Sequence, residues 1–193
     1  GKTTAALGLA LRAAGAGLNV FIAQFIKMGE YSEINALKRF SDLITIEQYG
    51  RGRFIKGTPS PEDIEAAVKG LERIKEIIDS KKYHVLILEE ANVAVTYGLF
   101  SVEDLLKIID TKPDDLEIVI TGRNAMPELI DRADLVTEMK ELKHYYHNGV
   151  KARVGIEAGV ELGRQLERLY RVWKQLFIRY YATQAQVMGL FEG

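Results

Sequence analysis

Through most of the chain, apolar positions switch between two periods. Short β-branched runs give way to stretches in which apolar side chains return every three or four positions, and the order then repeats. That alternation predicts an α/β domain with a largely parallel sheet flanked by helices. Strands are predicted at 19–25 (NVFIAQF), 43–48 (LITIEQ), 84–88 (HVLIL) and 116–121 (LEIVIT), with a weaker fifth at 134–137 (DLVT). An Ala/Leu-rich helix is expected from Thr3 to Ala16, where Gly15-Ala16-Gly17 ends it. A second follows Ser60-Pro61-Glu62-Asp63, which supplies an N-cap, a proline at the first helical position and acids in the first turn, and it runs through Ile64 to Ile78. Ser101-Val102-Glu103-Asp104 opens a third in the same way, toward Ile109 and the break at Lys112-Pro113. Tyr49 to Pro59, with three glycines and two closely spaced basic residues, reads as a long loop.

The pattern changes near Ala158. From there one apolar stripe continues through Leu162, Leu166, Leu169, Trp173, Leu176 or Phe177, and Tyr180, so residues 1–157 are expected to form the main domain and 158–193 an amphipathic helical extension. Such a helix packs on its own domain or offers its aromatic residues to another subunit.

Composition narrows the chemistry. The 193 residues carry 26 Lys and Arg against 27 Asp and Glu, a formal charge of -1, so no overall field draws nucleic acid or an anionic membrane. With no cysteine, thiolate catalysis, disulfides and cysteine-held metal sites are excluded. Three histidines argue against a His-only metal cage. No apolar run reaches the roughly 18 residues of a membrane helix, and no signal peptide is visible, so a cytoplasmic location is expected.

Gly1-Lys2-Thr3-Thr4 matches the end of the phosphate-binding loop G-x-x-x-x-G-K-[ST]. In that motif glycine lets backbone N–H groups close on phosphate, lysine neutralises phosphate oxygens, and a hydroxyl at a helix N-terminus meets Mg²⁺. The sequel strengthens the match, because loop, helix and strand follow in the required order. The chain opens inside the motif, so the central strand and the loop's first positions are expected upstream of Gly1, and a molecule lacking them would bind ATP poorly. A second site element ends the apolar run 85–88, where Glu89-Glu90 bring two acids to the sheet's carboxyl edge. Alternation along a strand directs them apart, one toward metal and one toward the loop. Thr121-Gly122-Arg123 ends the next strand, and the Arg123 guanidinium suits phosphate oxygens. His144 reads as a ligand, a base or a packed ring.

Taken together these residues resemble the ATP:corrinoid adenosyltransferases of the cobalamin-salvage type. The resemblance runs from Gly1 to about Glu157, through GKTTAALGLALRAAGAG (1–17), QFIKMGE (24–30), LILEEANVAVTYGL (86–99), VITGR (119–123), ADLVTEM (133–139), and KH followed by GVKARVGIE (143–157). It implies a P-loop, RecA-like fold and a reaction in which a Co(I) corrinoid attacks the 5′ carbon of ATP and triphosphate leaves. The nucleophile is then the substrate's cobalt, and no catalytic serine, cysteine or histidine is required. Carried over by position, Gly1, Lys2, Thr3, Thr4 and Arg123 bind nucleotide, and Thr3 and Glu90 hold Mg²⁺. The resemblance further implies ATP bound in the reverse of the usual P-loop direction, a reducing flavoprotein as electron donor, and possible pairing as a homodimer.

Three departures stand out. Glu89 replaces the family's usual Asp, which puts that residue's role in doubt. The family's Gly-Phe-x-Trp stretch near the corrinoid is matched only by Phe54 in the loop 49–54, and the tail beyond Ala158 has no counterpart. Two other readings compete with the enzyme: a corrinoid- or nucleotide-binding module that has lost turnover, and a RecA-like NTPase releasing phosphate without corrinoid.

Overall fold

The computed structural model describes residues 1–29, 31–52, 55 and 57–156. Phe54 and the extension 158–193 lie outside the described residues. Gly1–Gly29 and Ile34–Leu142 form one compact unit, and residues 31–33 and 143–156 belong to a second.

The elements up to residue 132 follow the two periods read from the sequence. Helix α1 (Lys2–Gly15) leads to β1 (Val20–Ile26), a short α2 (Ser32–Leu37) and β2 (Ile44–Gly50). Then come α3 (Pro61–Asp79), β3 (Val85–Glu89), α4 (Ala91–Thr96), α5 (Val102–Asp110), β4 (Glu117–Ile120) and α6 (Pro127–Arg132). Helices α3 and α5 start where their capping signals stand. In each, the N-cap serine (Ser60, Ser101) accepts from the N–H three residues on, and the acid there (Asp63, Asp104) accepts in return from the serine N–H.

The four strands pair in parallel in the order β2-β1-β3-β4. Each strand's two faces enter different cores. Val20, Ile22, Ile44, Val85 and Ile87 pack against Ala6, Leu7, Ala10, Ala13 and Ala14 of α1. On the other face Phe21, Ala23, Phe25, Leu86 and Leu88 meet α3, α4 and α5 through Leu71, Ile74, Ala94 and Leu105. The result is a three-layer arrangement, helix on sheet on helix, in which α1 is alanine-rich because it lies close on the strands. Leading from β1 to β2 and then back past β1 to β3, the chain reverses direction across the sheet between β1 and β3. Open α/β sheets bind ligands at the carboxyl ends of the strands at such a point.

The weak fifth strand does not form. Residues 134–137 join no ladder, and Leu135 and Val136 are exposed. A two-residue apolar core flanked by acids buries too little to pull that segment onto a sheet by itself.

In the second unit, residues 145–148 make a 3₁₀ turn opened by His144, whose Nδ1 accepts from the Tyr146 N–H at 3.0 Å. The His144 ring sits 4.8 Å from that of Tyr145, over which the Arg153 guanidinium lies at 5.2 Å. Of the three readings for His144, this environment is that of a packed, capping ring.

Candidate active site

Period-two alternation builds the site. On the α1 face the strands carry apolar residues for two rungs and a polar one at the third: Ile44, Ile46, Gln48 on β2; Val20, Ile22, Gln24 on β1; Val85, Ile87, Glu89 on β3. Register places Gln48, Gln24 and Glu89 side by side. A polar rung therefore crosses the carboxyl edge at the point where the chain reverses, above two fully apolar ones. Gln24 and Glu89 have no solvent exposure, so any of their polar atoms left without a partner inside the protein is costly.

Glu89 finds two. The Thr3 hydroxyl, in the first turn of α1, donates to its Oε1 at 2.6 Å, and the Lys27 ammonium donates to Oε1 at 3.0 Å and Oε2 at 3.3 Å. Lys27 also donates to Thr3 Oγ1 at 3.4 Å and stands 3.9 Å from Glu90 Oε1. One ammonium thus joins a hydroxyl and two carboxylates. Alternation alone would part the two acids. Glu90 instead adopts a left-handed backbone, φ 61° and ψ 18°, at the strand-to-helix turn, with its N–H donating to Thr121 Oγ1 at 3.1 Å. That turn keeps both carboxylates within reach of Lys27, at the expense of a conformation that a non-glycine residue adopts only when its surroundings enforce it. Burial, and then the charge of Glu89, raise the Glu90 carboxyl above its ordinary range, while Lys27, Lys2 and Arg123 oppose the rise. Lys2 and Arg123 thus act on Glu90 through their charge, without a direct contact among the described ion pairs.

Lys27 is placed by a second strained turn. Its N–H donates to the Phe25 carbonyl at 2.6 Å around Ile26, whose φ is 67°. Gln48 pins the following residues, accepting from the Gly29 N–H at 3.0 Å and donating to the Gly29 carbonyl at 3.2 Å and to Gln24 Oε1 at 2.7 Å. Gly50 lets β2 come this close, since a Cβ there would lie 2.3 Å from the Ile26 carbonyl carbon. Gly122, at φ 139°, does the same beside Asn92 and sets Arg123 on the loop after β4. Around the edge, the side-chain amide of Gln24 keeps its Nε2 without a hydrogen-bond partner among the described residues.

Of the residues singled out by sequence, the structure gathers Lys2, Thr3, Glu90 and Arg123, with Glu89 at the centre. Gly1 and Thr4 are exposed at the start of α1, where the first helical bond is the Ala5 N–H to the Gly1 carbonyl. The N–H groups of that first turn are therefore not used within the helix. Sequence reasoning missed Lys27, and it left Glu89 in doubt. The available signal for Lys27 was a lysine just past a strand that already carries a glutamine among apolar neighbours.

The donor set, one hydroxyl and two carboxylates with a cation among them, is made of hard oxygens and fits Mg²⁺. No cluster of three or more His, Cys, Asp or Glu able to hold a metal occurs among the described residues. Magnesium is commonly bound by one or two carboxylates together with substrate phosphates.

Fold and site so far define an α/β protein with an open parallel sheet and a charged hydroxyl–carboxylate centre at its switch point. Residues 1–158 match the family described as ATP:corrinoid adenosyltransferase BtuR/CobO/CobP, and the chain belongs to that family. A corrinoid adenosyltransferase of a Sinorhizobium species is 35% identical over 162 residues, 81% of this chain and 75% of the relative. The corrinoid adenosyltransferase CobA of Salmonella typhimurium is 32% identical over 160 residues, covering 81% and 80%. That of Pseudomonas aeruginosa is 31% identical over 158 residues, covering 81% and 78%.

Proposed function

We propose that this chain transfers the 5′-deoxyadenosyl group of ATP to the cobalt of a Co(I) corrinoid, releasing triphosphate, and that it does so with a P-loop whose last residues are Gly1 to Thr4. Family membership supports the reaction class. The observation that carries the site is the 2.6 Å bond between the Thr3 hydroxyl and the buried Glu89 at the mouth of α1, because it ties the motif's hydroxyl to the carboxyl edge of the sheet.

In this reaction the nucleophile belongs to the substrate, so the protein aligns the cobalt with the carbon and stabilises the leaving triphosphate. Lys2 neutralises phosphate oxygens, and the N–H groups of Lys2, Thr3 and Thr4, unused within α1, donate to them where Gly1 lets the backbone close in. Thr4 and Arg123 line the nucleotide, the latter through a guanidinium able to hold two phosphate oxygens. Thr3 and Glu90 would hold Mg²⁺, with Glu89 orienting the Thr3 hydroxyl from behind. When bound, the ion adds positive charge next to the triphosphate. Phe54 is assigned to the corrinoid side. The Co(I) state requires an electron donor, for which a flavoprotein is proposed. A homodimer and a cytoplasmic setting complete the reading. No helix among the described residues is long and apolar enough to cross a membrane.

The test is a spectrophotometric assay of chemically reduced cobalamin with ATP and Mg²⁺, run on this chain and on a version extended upstream to complete the phosphate loop. Formation of the cobalt–carbon product is expected. Corrinoid binding without conversion by either protein would favour a binding module, and phosphate release without corrinoid would favour an NTPase. In the active protein, Lys2→Ala is expected to lose far more than half the rate, and near-parental turnover would remove Lys2 from its role.

A further inference from the structure

We propose that Lys27 is a tethered cation that fills the divalent-cation seat of this site between catalytic cycles and is displaced when the metal arrives with the triphosphate. The inference rests on the assignment of Thr3 and Glu90 as metal ligands. Its first support is position. The ammonium contacts both Glu89 oxygens at 3.0 and 3.3 Å and the Thr3 hydroxyl at 3.4 Å, with Glu90 Oε1 at 3.9 Å, so it occupies the centre of the oxygen donors.

The second support is necessity. Glu89 has no exposure to solvent, and an ionised carboxylate so buried requires a counter-charge. Among the described residues, the ammonium of Lys27 is the cation in contact with it. The third is that Lys27 can leave. Its side chain is 26% exposed, and an ammonium on a flexible four-carbon stem is strongly hydrated once released. Its backbone, by contrast, is fixed by the strained turn at Ile26 and by Gln48 on Gly29. Charge makes the exchange favourable in one direction. Two carboxylates face one ammonium at the seat, with Lys2 and Arg123 acting on Glu90 as well, and a divalent ion brings them one more positive charge than the ammonium it replaces. The lysine thus keeps the empty site paired and discourages metal binding until phosphate oxygens come with it.

Mn²⁺ is the probe, its free form read by electron paramagnetic resonance on nucleotide-free protein. Lys27→Met is expected to bind Mn²⁺ at least tenfold more tightly than the parent, whereas Lys27→Arg, which retains the charge, stays near the parent. The melting temperature of Lys27→Met is expected to fall without metal and to recover with Mn²⁺, under conditions in which the parent's moves little. Should Lys27→Met not fold alone, folding restored by Mn²⁺ supports the proposal and failure in both conditions overturns it. Equal Mn²⁺ affinity in parent and Lys27→Met overturns it too. Thr3→Val and Glu90→Gln, titrated with Mn²⁺ and inorganic triphosphate, separate the two levels. Lost ternary binding in these variants beside an unchanged Lys27→Met refutes the displacement alone. Retained ternary binding refutes the ligand assignment, and the displacement with it.

Discussion

Glu90 shows how a single residue joins local strain to chemistry. Its left-handed backbone turns the chain from strand to helix, and burial beside Glu89 disfavours its charge. The folded-state carboxyl titrates above the unfolded one, ordinarily near 4.5. The fold therefore carries no penalty below that pH, and loses stability as pH rises through the shifted value. Glu90→Gln is accordingly expected to unfold at higher denaturant than the parent at pH 7 to 8, with the gain vanishing near pH 4. A gain that persists undiminished at pH 4 would contradict the cause given. Gly50 is the complementary case, a site where any side chain would meet the Ile26 backbone. Gly50→Ala should cost at least the 1–3 kcal/mol or so typical of overpacking, read as a fall in denaturant midpoint, because β1 and β2 must separate for a methyl group to enter.

At the scale of elements, the starts of α3 and α5 were legible, since an N-cap serine followed by acids in the first turn is a local signal satisfied by local bonds. Ser60→Ala and Ser101→Ala are each expected to cost about 1 kcal/mol in equilibrium unfolding. The Ser101 hydroxyl and N–H hold the Asp104 carboxyl below its ordinary 3.8. Its contribution is present above that pH and is lost as pH falls through the lower folded value, so acidification should shrink the effect of Ser101→Ala. The strands were legible in their positions along the chain except at 134–137, where apolar character without a neighbouring strand led to no pairing. What could not be read was register. That Gln48, Gln24 and Glu89 fall on one rung depends on how three separate segments align, and no local pattern contains it.

For the whole molecule, ligand and stability are linked. A ligand that binds only the folded chain raises its stability by about 2.7 kcal/mol at a hundred times the dissociation constant. ATP with Mg²⁺ should therefore raise the melting temperature of the protein, and Lys2→Ala should lose most of that shift while melting normally alone. An equal shift in both would place the triphosphate elsewhere.

By itself the sequence determined the alternation of strands and helices, the capped helix starts, the hydroxyl and lysine of Gly1 to Thr4, and the acids at the end of β3. Each is written in contiguous residues, where period and composition act over a few positions. Only the tertiary structure decided that Lys27 stands among Thr3, Glu89 and Glu90, and that the uncertain Glu89 is the buried centre of the group. Residues 3, 27 and 89 are far apart in the chain, and they meet because parallel pairing brings the carboxyl ends of β1 and β3 together beside the first turn of α1.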